Sequence, residues 1–225
     1  MIRTTAIVPS AGLGKRMGGV KKNFLKLGTT PVLAITLKAL DSSPLIDSII
    51  VAVSKDDIEF CKKDIVESFN IKKVAKVIAG GAEREESVRL ALSEVPDDID
   101  IVLVHDGARP FIDETMIKYT IDSALRFGAA ITGVMPKDTI KTTEDGFVEK
   151  TLHRASLIAV QTPQAFKADL IRNAYKLSSN ATSTDCASLV ERTGAKVKVV
   201  PGNYRNIKIT TEEDLVLANA FFENP

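Results

Sequence analysis

Thr4-Thr5-Ala6-Ile7-Val8-Pro9-Ser10-Ala11-Gly12-Leu13-Gly14-Lys15-Arg16-Met17-Gly18-Gly19 is an apolar run that ends in a glycine loop. Thr4 to Pro9 reads as a buried strand. The loop after it can turn backbone amides toward an anion, because few side chains obstruct the approach. Two phosphate-loop forms fail here. A dinucleotide fingerprint needs glycine where Met17 stands, and a P-loop needs Ser or Thr where Arg16 stands. What remains is Gly-x-Gly-x-Arg-Met, with Lys21 and Lys22 close behind. Fixed cations of this kind suit nucleotidyl transfer, where attack at an α-phosphorus crowds negative charge onto its oxygens. Arg16 offers a fork of donors and Lys22 a mobile point charge. The competing reading is an ordinary strand-to-helix turn with solvated lysines.

Working outward, strands and helices alternate. Helical spacing covers Pro31 to Leu40, Asp56 to Phe69, Glu83 to Glu94 and Asp113 to Phe127, with Asp113 as N-cap. Strands fall at Ser48 to Val53, Val74 to Ile78, Ile101 to Val104 and Ala129 to Met135. The continuous apolar run Ile101 to Val104 suits the centre of a parallel sheet. Further helices run from Ala168 to Leu177 and Asp185 to Arg192, and Lys196 to Val200 is a strand. Thr211 and Asp214 resemble a capping box, with Asp in place of the usual Glu or Gln, at the head of a last helix that reaches about Phe222. This alternation predicts an α/β sheet covered on both faces.

One segment departs from the alternation. Thr139 to Thr143 and Phe147 to Leu152 flank Asp145-Gly146, a hairpin signal. A lone hairpin is marginal in water. It therefore lies either on its own sheet or on a partner subunit, and the pattern alone leaves both open.

Composition narrows the function. The 225 residues are 44% hydrophobic and 26% charged with a net charge of +1. One large domain with a small appendage fits this size, and a general nucleic-acid binder would be more basic. No apolar run spans a bilayer, and Met1 leads almost directly into a strand without a signal or transit pattern. Cys61 and Cys186 are the only cysteines. They read as reduced thiols in a cytoplasmic protein. With His105 and His153 they form no zinc spacing.

Six stretches, in order, carry a resemblance. They are Ala11-Gly12-Leu13-Gly14-Lys15-Arg16-Met17 with Lys22-Asn23-Phe24-Leu25; Gly80-Gly81-x-x-Arg84-x-x-Ser87-Val88; His105-Asp106-Gly107-Ala108-Arg109-Pro110; Asp138-Thr139-Ile140-Lys141; Gln161-Thr162-Pro163-Gln164-Ala165-Phe166; and Asn206-Ile207-Lys208-Ile209-Thr210 with Glu213-Asp214-Leu215. Together they span nearly the whole chain. The sequence resembles the 2-C-methyl-D-erythritol 4-phosphate cytidylyltransferase (IspD) family of the non-mevalonate isoprenoid pathway.

The resemblance implies a Rossmann-like, mostly parallel twisted sheet with helices on both faces, of the nucleotide-diphospho-sugar transferase type. Residues 1–225 would form one catalytic domain, with 137–156 as a protruding β-hairpin arm that makes a homodimer. Arg16 and Lys22 would stabilise charge at the α-phosphate of CTP. Ser10, Ala11, Gly81 and Ser87 would read the cytosine, and Gly12 and Gly14 would complete the CTP loop. Asp106 and Arg109 would lie near the ribose and the acceptor. Arg154 and Lys208 would hold the acceptor phosphate, among hydroxyls of Thr139, Thr162 and Thr184. Thr139, Arg154 and Thr162 would act across the dimer interface. Magnesium is expected, held mainly by triphosphate oxygens, with Asp106 a candidate ligand.

The chain departs from the family pattern at several positions. Lys21 stands for a usual proline, Asn23 for glutamine, Ser10 for alanine, Gly107 for alanine, and Ala82 for an acidic residue. His105 is expected to be structural, since a phosphate nucleophile is already ionised. Glu85 and Glu86 read as solvated helix charges, and Asp185 as an N-cap. Two rivals remain: a ribitol-5-phosphate cytidylyltransferase, and a non-catalytic nucleotide sensor on the same fold.

Overall fold

The structure, a computed structural model, describes residues 2–12, 24–178 and 185–224. β1 (Thr4–Pro9) leads past a small antiparallel pair, β2 (Lys26–Leu27) and β3 (Thr30–Pro31), into α1 (Val32–Ser42). β4 (Ser48–Val53) follows. The stretch expected as one helix from Asp56 to Phe69 is a composite instead. A 3₁₀ turn at Lys55–Asp57 passes through α2 (Ile58–Phe60) into a π-helical stretch, Cys61–Glu67. The wider stretch still buries Cys61 and Ile65, so the apolar spacing survived the change of pitch.

β5 (Val74–Ala79), α3 (Arg84–Ser93), β6 (Ile101–Val104), α4 (Glu114–Phe127) and β7 (Ala129–Val134) continue the alternation. The Asp113 side chain caps α4 by accepting from Met116 N, as its sequence predicts. The hairpin strands are β8 (Lys141–Glu144) and β9 (Phe147–Thr151), with Asp145 and Gly146 at positive φ in the turn. They form a two-stranded sheet of their own.

β10 (Ala159–Lys167) was not anticipated as a strand. It runs antiparallel between β6 and β7, in the middle of the main sheet. Pro163 argues against a central strand because it has no N–H for the ladder. Here it falls where the register against β7 shifts, between Val160 and Gln164, so the missing donor coincides with an irregularity. The chain then forms α5 (Ala168–Leu177), α6 (Cys186–Glu191), β11 (Lys198–Pro201) and α7 (Glu212–Glu223). The capping box of Thr211 and Asp214 is present at α7.

The main sheet has seven strands in the order β11-β7-β10-β6-β1-β4-β5. Every neighbouring pair is parallel except the two made by β10. Successive strand residues point to opposite faces. Ala6 and Val8 of β1 accordingly pack with Leu33 and Leu37 of α1 and Ile117 of α4. Ile7 packs on the other side with Val88 of α3, Ile171 of α5 and Leu189 of α6. The doubly covered α/β sheet is therefore as expected, and the strand ends it aligns build the site.

Candidate active site

The carboxyl ends of β6, β1, β4 and β5 lie side by side in that order, where open α/β sheets hold ligands. Backbone bonds carry the alignment past the strands. Ser10 N donates to Ala52 O at 2.7 Å, Gly80 N to Val53 O at 2.7 Å, and His105 N to Ile7 O at 2.9 Å. Small residues gather here. Gly81 N donates to Ser87 Oγ at 3.1 Å, and Ser10 lies against Gly107. A Cβ on Gly107 would strike Ser10 Oγ and come within 3.0 Å of Leu33 Cδ1. Two departures from the family pattern thus compensate: the atom that Ser10 adds occupies the space that Gly107 gives up.

Beside this cradle sits a buried cluster of charge. Asp106, 6% exposed, receives Arg84 Nε on Oδ1 at 2.8 Å. Its Oδ2 faces Lys208 Nζ at 2.9 Å and Arg109 Nε at 3.6 Å. Burial by itself would raise the Asp106 pKa. The field of Arg84, then of Lys208 and Arg109, overcomes that and holds the carboxyl far below its ordinary range. Three cations around one carboxylate leave a local charge of +2. That excess favours a phosphorylated ligand in the cleft of about 400 Å³ these residues line.

Lys208 reaches the cluster from the segment before α7. Ile209 N donates to Ala108 O at 2.9 Å, and Arg109 Nη1 donates to Asn206 O at 2.7 Å. Asn206 Nδ2 donates to Thr162 O at 2.8 Å, which ties the segment to β10. His105 is fully buried, with Nε2 at 3.0 Å from Arg109 O and Nδ1 at 3.1 Å from Thr162 Oγ1. Burial lowers its pKa to about 4, so the ring is neutral near pH 7. With both nitrogens occupied it supports the loop, in line with the structural role expected of it.

The structure brings together Ser10, Ala11, Gly81 and Ser87 in the cradle, and Asp106, Arg109, Thr162 and Lys208 in the cluster. Gly12 ends the described part of its loop. Gly14, Arg16, Lys22 and Thr184 lie outside the described residues. Thr139 and Arg154 do not join the cluster. Both are exposed at the hairpin root, where Arg154 Nη1 donates to Lys137 O at 2.8 Å. Thr162, which the resemblance assigns to the dimer interface, is 3% exposed and accepts from Asp106 N of its own chain at 3.0 Å.

Sequence reasoning assigned Arg84 no role, although it stands in the Gly80-Gly81-x-x-Arg84 stretch that was singled out. An arginine opening a helix reads as solvent-facing until its partner is known, and Asp106 is far away in sequence. Glu86 is also less idle than expected: its Oε2 accepts from Ala82 N at 2.8 Å. Glu85 pairs with Arg89 at 2.8 Å. Asp185 caps α6 by accepting from Ser188 N and also accepts from Gln164 Nε2 at 2.9 Å.

Among the described residues, no group of three His, Cys, Asp or Glu side chains is placed to hold a metal. Asp106 does not fit as a ligand, because a dication there would face Arg84, Arg109 and Lys208.

A glycine-lined cradle beside a cation-rich cleft, at the strand ends of an open α/β sheet, defines a nucleotide-handling protein of the Rossmann-like class. The profile of IspD, 2-C-methyl-D-erythritol 4-phosphate cytidylyltransferase, matches residues 4–224. A 2-C-methyl-D-erythritol 4-phosphate cytidylyltransferase of Geobacter metallireducens is 43% identical over 224 residues, covering 97% of each chain. One from Syntrophotalea carbinolica is 45% identical over 223 residues, covering 97% of this chain and 96% of the relative. The crystal structure of 4-diphosphocytidyl-2C-methyl-D-erythritol synthase from Anaerococcus prevotii superposes with a TM-score of 0.87 at 36% identity, over 99% of this chain and 97% of that one. The 2-C-methyl-D-erythritol 4-phosphate cytidylyltransferase of Thermus thermophilus gives 0.81 at 29% identity, over 99% and 100%. The chain belongs to the 2-C-methyl-D-erythritol 4-phosphate cytidylyltransferase family.

Proposed function

We propose that this chain transfers CMP from CTP to 2-C-methyl-D-erythritol 4-phosphate, giving 4-diphosphocytidyl-2-C-methyl-D-erythritol and pyrophosphate for isoprenoid precursor synthesis. Family membership over nearly the full length supports it. The observation that carries it in the structure is the Asp106 cluster beside the small-residue cradle, a cationic pocket next to a small-residue one.

An ionised phosphate oxygen of the acceptor attacks the α-phosphorus of CTP. The new O–P bond forms as the bond to the bridging oxygen breaks, and pyrophosphate leaves with that electron pair. No base is needed. Asp106 stays ionised and accepts hydrogen bonds, while Lys208 and Arg109 draw in the acceptor. Arg16 and Lys22 supply the cations that stabilise the charge gathering on the α-phosphate. Positioning and electrostatics do most of the work. A divalent cation bound with CTP would supply charge neutralisation at the triphosphate, and Asp106, faced by three cations, would not hold it.

Residues 1–225 act as one catalytic domain, and segment 137–156 is the arm of a homodimer. Its exposed Phe147 and Val148 support that reading, as does the position of Arg154 and Thr139 outside their own chain's cleft. A cytoplasmic setting agrees with two free, buried cysteines.

Pyrophosphate release from CTP is the test, with 2-C-methyl-D-erythritol 4-phosphate and ribitol 5-phosphate as parallel acceptors. We expect turnover with the first and little with the second. Preference for ribitol 5-phosphate, or CTP binding with no release from either, would overturn the reading. Arg16→Ala and Lys22→Ala should each lower kcat by about 100-fold with the fold intact.

A further inference from the structure

Arg84 opens α3, the helix that carries Ser87 of the cradle, yet its guanidinium turns into the acid cluster. Nε donates to Asp106 Oδ1 at 2.8 Å, and Nη1 reaches Cys186 Sγ at 3.4 Å. Cys186 also meets Tyr175 Oη at 3.2 Å. One side chain therefore joins the cradle's helix, the loop after β6 and the first turn of α6. Arg84 is held at two points with its side chain 21% exposed, whereas Lys208, on the other carboxylate oxygen, is 37% exposed.

We infer that Arg84 is a positioning residue for the acceptor. Resting on the cytidylyl transfer proposed above, its role is to fix Oδ1 of Asp106 so that Oδ2 faces the acceptor side of the cleft. It also keeps the carboxylate compensated while Lys208 turns to an incoming phosphate. The physical need is clear. Asp106 is buried, and a buried carboxylate that loses its partners is costly. Without Arg84, Asp106 would hold Lys208 more tightly and the phosphate would have to compete for it. With Arg84 in place, Lys208 is released at small cost. The cradle should be nearly indifferent, because Ser87 and Gly81 bond to each other and not to Arg84.

Arg84→Met keeps bulk and removes charge; Arg84→Lys keeps charge and loses the fork. In steady-state pyrophosphate assays, Arg84→Met should raise KM for the acceptor about 100-fold and leave KM for CTP within about threefold. Arg84→Lys should recover at least about tenfold of the acceptor loss. In an Asp106→Asn background, Arg84→Met should add little, since the role runs through Asp106. Equal rises in both KM values, or an undiminished penalty in the Asp106→Asn background, would overturn the inference. If Arg84→Met does not fold, Arg84→Lys decides: an acceptor-selective rise in KM supports the role, and an unchanged or unselective KM rejects it. A silent wild type would sink the reaction and this role together. An active wild type with unselective variants sinks this role alone.

Discussion

Asp106 is 6% exposed and its oxygens face three cations, whereas Phe147, at the tip of the hairpin, is 78% exposed. The first region is fixed from several directions, by α3, the loop after β6 and the Lys208 segment. The second is fixed mainly by itself. Among the described residues β8 and β9 pair only with each other, and the side-chain bonds Lys141–Thr151 and Thr142–Glu149 stay within the pair. At the root, Tyr204 Oη donates to Met135 O at 2.7 Å and Lys137 lies over the Tyr204 ring. The contrast is between a carboxylate whose three facing cations come from its own chain and a hairpin that, among the described residues, forms a sheet of its own. It also gives each region its own mode of failure: variants in the cluster should lower global stability, and variants in the hairpin should not.

Asp106→Ala is the strongest way to break that contrast. It leaves Arg84 and Arg109 buried and facing each other without their shared counter-ion. Stranding a buried charge costs about 3–5 kcal/mol. Urea denaturation should show a loss of that size. A midpoint matching the wild type would mean that the cluster is not the rigid region claimed.

Acid should find the same region next. The His105 pKa falls from 6.5 to about 4 on folding, chiefly through burial. Between these values the unfolded chain binds the extra proton and the folded chain does not. The stability contribution is thus complete above about pH 6.5 and is lost as pH falls toward 4, by about 3 kcal/mol. Asp106 adds little above about pH 5, because its folded pKa is depressed and its own loss sets in only as pH nears the unfolded value and continues below it. Denaturation midpoints across pH 4–7 should slope downward toward acid. Replacing His105 with Gln should flatten the slope, and an unaltered slope in that variant would assign the titration elsewhere.

The hairpin side of the contrast answers to complementation. Arg154→Ala and Lys208→Ala should each be nearly inactive. If Arg154 serves the partner's cleft, a mixed dimer keeps one intact site. Refolding equal amounts of the two chains together should then restore about a quarter of wild-type activity. No recovery would place Arg154 in its own chain's site and remove the reason for the arm.

The sequence was most readable where one local rule decided the outcome. β1, β4 and β6 are short apolar runs, Asp113 and Thr211 sit where caps belong, and Asp145-Gly146 supplies the positive φ that the hairpin turn needs. It was least readable where the deciding partner is remote. β10 holds a central position despite Pro163 because β6 and β7 flank it and a register shift absorbs the missing N–H. Arg84 looks like a surface residue until folding brings Asp106 to it. Gly107 looks like a bare departure from the family's alanine until Ser10 is seen in the space it vacates. The motifs name Lys208 and Arg154 and set Arg154 beside the hairpin, but they do not show that Thr162 meets Asp106 within one chain.

One kind of strain placed in the core and in the hairpin gives the finest test. Gly146 in the hairpin turn has φ +83°, and Gly128, which ends α4, has φ +94°. A Cβ on Gly146 meets nothing within 4 Å, and one on Gly128 meets only Leu170 Cδ2 at an ordinary 3.5 Å. Alanine at either site therefore costs chiefly backbone strain, about 1–2 kcal/mol. At Gly128 the strain lies between α4 and β7, whose neighbours are the core, so the urea midpoint should fall accordingly. At Gly146 it lies in a pair of strands that is already marginal. The hairpin can open alone, and the strain is then absent from the sheet. Amides of Phe147–Thr151 should exchange about tenfold faster while the global midpoint holds. Equal midpoint losses in the two variants would show that the hairpin unfolds with the sheet and is not a separate arm at all.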